Sequence, residues 1–242
     1  MSEQTLAARL KGETAELHES MHELMGRLAP FAARDRYVRF VAAQYVFQCQ
    51  VNARADQPAL HAIIPDLARR TRVQAARQDL IDLDAEFSER GRAWLQDAAG
   101  MTVAGGAGTQ ETAAQGARPA HVSAPSQGGH APAAGRSAPP ARALGWLYVS
   151  EGSTLGAAFL FKEAQASLGL SAEFGARNLA ASPAGRAQAW RAFVAALDAT
   201  SLSREHADQV VDGAREAFEF FGQTLRDAFS DAAPAVSGAA RH

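Results

Sequence analysis

Apolar residues recur three and four positions apart through most of this chain, and runs that alternate apolar and polar residues are nearly absent. Spacing of three and four returns side chains to one face of an α-helix, whereas a half-buried strand needs strict alternation. The pattern confines the chain to helices. Leu6, Leu10, Leu17, Met21, Leu24 and Leu28 predict a first helix, closed by Pro30. A second, over about 35–52, is apolar on most sides through Tyr37, Phe40, Val41, Tyr45 and Phe47, which suits a central position. A third, over about 65–98, takes Leu67, Leu80, Leu83, Phe87 and Trp94 as its buried side. A fourth covers 141–168 and stops at Gly169, and a fifth covers roughly 183–197. In the last, Val211, Ala214, Phe218, Phe221 and Leu225 form an apolar seam. Short links between helices imply an all-α, single-domain antiparallel bundle.

One stretch departs from this pattern. Residues 101–140 hold 7 Gly, 5 Pro and 11 Ala, no aromatic residue and three charged side chains. Such a composition buries too little apolar surface to offset the entropy of ordering, so it reads as a disordered insertion. The folded domain is then expected over 1–100 and 141–231, with 232–242 as a flexible tail. His121 and His130 of the insertion read as solvated loop histidines.

A formal net charge of -2, with no block of Lys or Arg, gives no argument for nucleic acid. The single cysteine, Cys49, excludes an intrachain disulfide. Set in the run Val46-Phe47-Gln48-Cys49, it reads as a core filler in a reducing compartment. The N-terminus lacks the basic start and apolar run of a signal peptide, and no apolar run approaches the ~18 residues of a membrane span. The expectation is a soluble, cytoplasmic monomer.

Chemistry has two candidate locations. Lys11, Thr14 and His18 fall at i, i+3 and i+7, on one face of the first predicted helix. At ~1.5 Å per residue, Lys11 lies roughly 10 Å along the axis from His18. That spacing suits a flat ligand with a metal near one end and an anionic edge at the other, although a lone helix-face histidine is more often structural. Glu19 and His22 spell Glu-x-x-His, a spacing used by di-iron bundles. A second copy is missing, and His18 with His22 lacks a third ligand for zinc. The other location is Leu144-Gly145-Trp146-Leu147-Tyr148-Val149-Ser150-Glu151-Gly152-Ser153-Thr154-Leu155-Gly156-Ala157-Ala158. Two glycines inside a helix cost about 1 kcal/mol each relative to alanine. Gly152 and Gly156, four apart, bare a stripe of backbone. Spacing alone leaves two readings open: close helix–helix packing, or a large flat molecule lying on the backbone.

The stretch Leu10-Lys11-Gly12-Glu13-Thr14-Ala15-Glu16-Leu17-His18 resembles the proximal-helix motif of heme oxygenases. The stretch from Leu144 to Ala158 resembles the distal helix of their bacterial branch, as does Gly185-Arg186-Ala187-Gln188-Ala189-Trp190-Arg191-Ala192-Phe193. The resemblance spans the chain except for 101–140, where bacterial relatives have a shorter link. It implies heme, at once cofactor and substrate, held between a proximal helix and a glycine-kinked distal helix. It implies His18 as the axial iron ligand, Gly152 and Gly156 against the other heme face, and Ser153 either near heme or back-bonded within its helix. Lys11, with Thr14 beside it, Tyr148 and Arg191 are the implied heme-holding side chains; Arg191 and Arg186 read equally well as solvated charges. The implied reaction is O2-dependent cleavage of heme to biliverdin, carbon monoxide and ferrous iron, with electrons from a separate reductase. A non-catalytic heme sensor or carrier, a helical relative acting on another small molecule, as thiamin-degrading proteins do, and a purely structural bundle are the rival readings.

Overall fold

The computed structural model describes residues 4–86, 88–104, 141–181 and 185–230. Nine α-helices form among them: α1 (Leu6–Glu13), α2 (Ala15–Leu28), α3 (Arg34–Ala55), α4 (Pro58–Ile63), α5 (Val73–Asp82), α6 (Glu89–Ala104), α7 (Ala141–Leu168), α8 (Arg186–Asp198) and α9 (Arg204–Phe229). No strand forms among the described residues; one isolated bridge pairs Ser171 with Gly175.

The expected first helix is two. Thr5 caps α1 by accepting from the Ala8 amide, and the helix breaks at Thr14, whose backbone leaves the helical region (φ -114°, ψ 7°). The hydrogen bonds from Thr14 N to Leu10 O and from His18 N to Thr14 O carry the chain straight across the break. This continuity explains why the apolar spacing never changes there. The expected third helix is replaced by a short 3-10 turn at Leu67–Arg69, α5, a second 3-10 turn at Asp84–Glu86, and α6, while α4 precedes it as a helix the spacing did not predict. Leu67, Leu80 and Leu83 are buried as expected and Trp94 is half-buried, while Phe87 lies outside the described residues. The helix α6 runs on to Ala104, so residues 101–104, expected as the start of the disordered insertion, are helical. The rest of that insertion and the 232–242 tail lie outside the described residues.

Two cores share α3, α7 and α9. One gathers Leu10, Phe47, Val51, the first half of α7, Phe193, Leu197 and Val210. The other gathers Leu24, Tyr37, Phe40, Val41, Leu83, Ala164 and Leu225. Burying a side chain such as Phe40 contributes about 1.5–3 kcal/mol. The first half of α7 is buried on every side from Ala143 to Glu151. It lies against α9 at backbone distance: a Cβ on Gly145 would sit 2.1 Å from the Val210 carbonyl oxygen, and one on Gly213 2.1 Å from that of Arg142. The close glycine packing in this bundle is therefore Gly145 on Gly213.

Along its other side α9 carries the N-terminal helices in parallel. Arg9 pairs with Asp208 at 2.6 Å, Glu13 with Arg215 at 2.8 Å, and Met21 lies over Gly222. Both α2 and α7 thus rest on α9, and they have no substantial direct packing on each other.

Candidate functional site

His18 projects from α2 into an exposed position. Its ring meets Phe218 of α9 edge-on at 6.4 Å between centroids, and His22 lies one turn on at 6.1 Å. Lys11, in the last turn of α1, is exposed as well. Thr14 is not part of this face. It is buried, and its hydroxyl donates to the Leu10 carbonyl at 2.8 Å. Among the described residues no group of three metal-ligating side chains forms, so His22 and Glu19 build no second centre with His18.

The second half of α7 presents the opposite arrangement. Gly156 is exposed, and a Cβ built on it would meet nothing within 4 Å. Leu155 and Phe159 on the same side are 38% and 78% exposed. Gly152 is different: its Cβ direction is covered by the Trp190 ring of α8 at 3.6 Å, an ordinary contact. Tyr148 is buried against that ring, 5.5 Å between centroids, and burial raises its hydroxyl above the usual tyrosine range. The Ser153 hydroxyl donates to the Ser150 carbonyl at 2.7 Å, the back-bonded alternative. Arg191 is exposed on α8, a helix tied to α1 by the Ala7 amide donating to Asp198 at 2.8 Å. Arg186 is not a solvated charge. It donates to the Thr154 carbonyl at 2.9 Å and also to the Leu179 carbonyl.

Behind this face lies a cavity of about 330 Å³ lined by Gln48, Asn52, His61, Arg70, Ser150 and Glu151, among others. Arg70 donates to Glu151 at 2.5 Å, with side chains only 7% and 8% exposed, and Gln48 donates to Ser150 at 3.3 Å. Burial pushes the Glu151 carboxyl above the usual carboxylate range, against the pull of Arg70 and Arg72. Sequence reasoning missed Arg70, Gln48 and the Arg186 grip. Glu151 sits beside Gly152 in sequence, but its partner is 81 residues away. Only its being the one charged residue between Ala143 and Phe161 hinted at it. Cys49, read as core, is only half-buried and shares a hydrogen bond with Tyr45.

The structure thus sets an accessible imidazole on α2 and a bared, partly apolar stripe on α7 upon the same supporting helix. Imidazole nitrogen is a good iron ligand. A position where a Cβ meets only open space, flanked by exposed Leu155 and Phe159, accepts a broad apolar face. These are the two features a heme needs, so the residues present fit the group that the sequence resemblance implies.

Comparison with known proteins agrees. The heme oxygenase family model matches residues 108–227. Heme oxygenase PigA of Pseudomonas aeruginosa is 40% identical over 222 residues, 92% of each chain. Among solved structures, the NO- and CO-bound heme oxygenase of Neisseria meningitidis superposes with a TM-score of 0.69 at 34% identity, covering 96% of each chain. Heme oxygenase-1 of the cyanobacterium Synechocystis, in complex with heme, shares the fold (TM-score 0.58) at 18% identity, over 92% of this chain and 91% of its own.

Proposed function

The chain belongs to the heme oxygenase family, and we propose that it cleaves heme with O2 to biliverdin, carbon monoxide and ferrous iron, taking electrons from a separate reductase. The observation that supports this most directly is the pairing on α9 of exposed His18 with the open backbone at Gly156. Bound heme supplies the iron that activates O2 and the meso carbon that is oxidised.

The protein supplies position. His18, steadied edge-on by Phe218, would hold the heme iron through an imidazole nitrogen. Gly156, where a Cβ would meet nothing within 4 Å, would leave room beside a bound heme for a small diatomic, with no side chain of its own to act as acid or base. Gly152, under the Trp190 ring, sets one limit of that open stretch. Ser153, committed to the Ser150 carbonyl, shapes the helix rather than the ligand. Lys11 and Arg191, exposed cations without a partner among the described residues, are suited to the anionic propionate edge. Tyr148 contributes through the Trp190 contact, and Thr14 through the α1–α2 junction. No described helix is long and apolar enough to cross a membrane. In this reading the enzyme works as a cytoplasmic monomer, and the insertion and tail lie outside its catalytic domain.

The test is to titrate purified protein with hemin, then add a reducing system and follow the visible spectrum. Saturable Soret absorbance followed by its replacement with biliverdin absorbance is expected. Soret absorbance that persists without biliverdin indicates a sensor or carrier, and no Soret absorbance removes the heme reading altogether.

A further inference from the structure

Arg186 occupies the first position of α8, entered through Gly185 at φ +79°. A guanidinium there opposes the helix dipole, which favours cations at the other end. It also stands near Arg72, and the two positive charges repel. Nothing in α8 itself accounts for an arginine at this position. Its contacts do. It bridges the Thr154 carbonyl of α7 and the Leu179 carbonyl. Thr154 lies midway between Gly152 and Gly156, in the stretch where the absence of Cβ atoms leaves the backbone least restrained.

The neighbouring carbonyls are taken up in the same way. Ser153 donates to the Ser150 carbonyl and Thr154 to the Glu151 carbonyl, both at 2.7 Å. Glu151 is held in turn by Arg70, which also reaches the Ala189 carbonyl of α8 at 3.4 Å. Of these donors, Arg186 alone ties the carbonyl between the two glycines to another helix. We propose that Arg186 is a positioning residue that fixes the Gly152–Gly156 backbone against α8, so that the face offered to heme is rigid without any side chain on it. The inference rests on the heme reading for its purpose, but not for its mechanics.

Two measurements test it, on Arg186→Met and on Arg186→Gln, the latter keeping an amide donor yet too short to bridge both carbonyls. The first is amide hydrogen exchange on the heme-free protein. Loss of one charge-assisted hydrogen bond predicts roughly ten-fold faster exchange. The change should be confined to the turn after Thr154 and led by Ala158, whose helical acceptor is that carbonyl. The second is the C–O stretching band of the ferrous CO complex, which should shift and broaden while His18 ligation and heme affinity persist. Unchanged exchange at Ala158 in a folded variant overturns the proposal, as does an unchanged CO band. If Arg186→Met does not fold, Arg186→Gln decides on the same criteria. Failure of the wild-type protein to bind hemin defeats the heme reading but leaves the exchange result to stand by itself.

Discussion

Gly156→Leu separates a helix that lies on a ligand from one that merely packs closely. In the protein without heme, a Cβ at Gly156 enters open space. The substitution therefore gains the helix propensity that glycine lacks, about 0.5–1 kcal/mol, with no clash to set against it. For a domain of this size that corresponds to a Tm rise of about 1–4 °C. The same leucyl group occupies the space where heme and O2 are proposed to sit, so biliverdin formation should be lost. Gly152→Leu is a poorer probe, because the side chain must displace the Trp190 ring that already lies 3.6 Å from the Cβ position. Overpacking of ~1–3 kcal/mol would then mix with any catalytic effect. The assay is thermal unfolding of the heme-free Gly156→Leu protein beside biliverdin production per folded molecule. A lowered Tm with wild-type turnover refutes the reasoning, since it makes Gly156 a packing glycine.

Replacing His18 with Ala should abolish the normal axial bond and nearly all turnover, whereas His22→Ala should keep both, as read from the heme spectrum. At the Gly145–Gly213 contact, either glycine changed to Ala should destabilise the heme-free protein by about 1–3 kcal/mol in denaturant titration, because each added Cβ meets backbone. Arg70→Met should cost about 3 kcal/mol near neutral pH by leaving Glu151 buried without its closest cation. Its carboxyl, already raised by burial, then titrates still further above the unfolded value, so the folded variant binds more protons and the deficit should shrink as pH falls toward the carboxylate range. Replacing residues 105–140 with a short Gly/Ser linker should leave heme affinity unchanged, because closure entropy depends only weakly on loop length.

The sequence carried most of the helices. The bounds of α7 follow from its apolar run and Gly169, and α9 from its seam at Val211, Ala214 and Phe218. The break at Thr14 was hidden because hydrogen bonds bridge it and the apolar spacing continues unchanged. The expected third helix failed because its apolar positions, Leu67 and Leu80 among them, are too sparse to reveal the interruptions. Gly152 and Gly156 stood out by their cost, but Gly145 bears the true backbone contact, and its partner Gly213 is far away in sequence. His18, which the structure leaves exposed on α2, was singled out through a motif. The grip of Arg186 and the Arg70–Glu151 pair were not, since each joins residues that only the folded chain brings together.

The reliance of both faces on α9 has a consequence in time. Residues 204–229 are made after α2 and α7, and until they emerge from the ribosome neither Phe218 nor Gly213 is present to back the two elements. A nascent chain that ends before α9 has the glycine stripe packed on α3 and α8 but lacks the helix against which the histidine rests. Heme capture therefore belongs to the finished polypeptide, and fragments that stop short of α9 should neither sequester heme nor expose it to stray oxidation during synthesis.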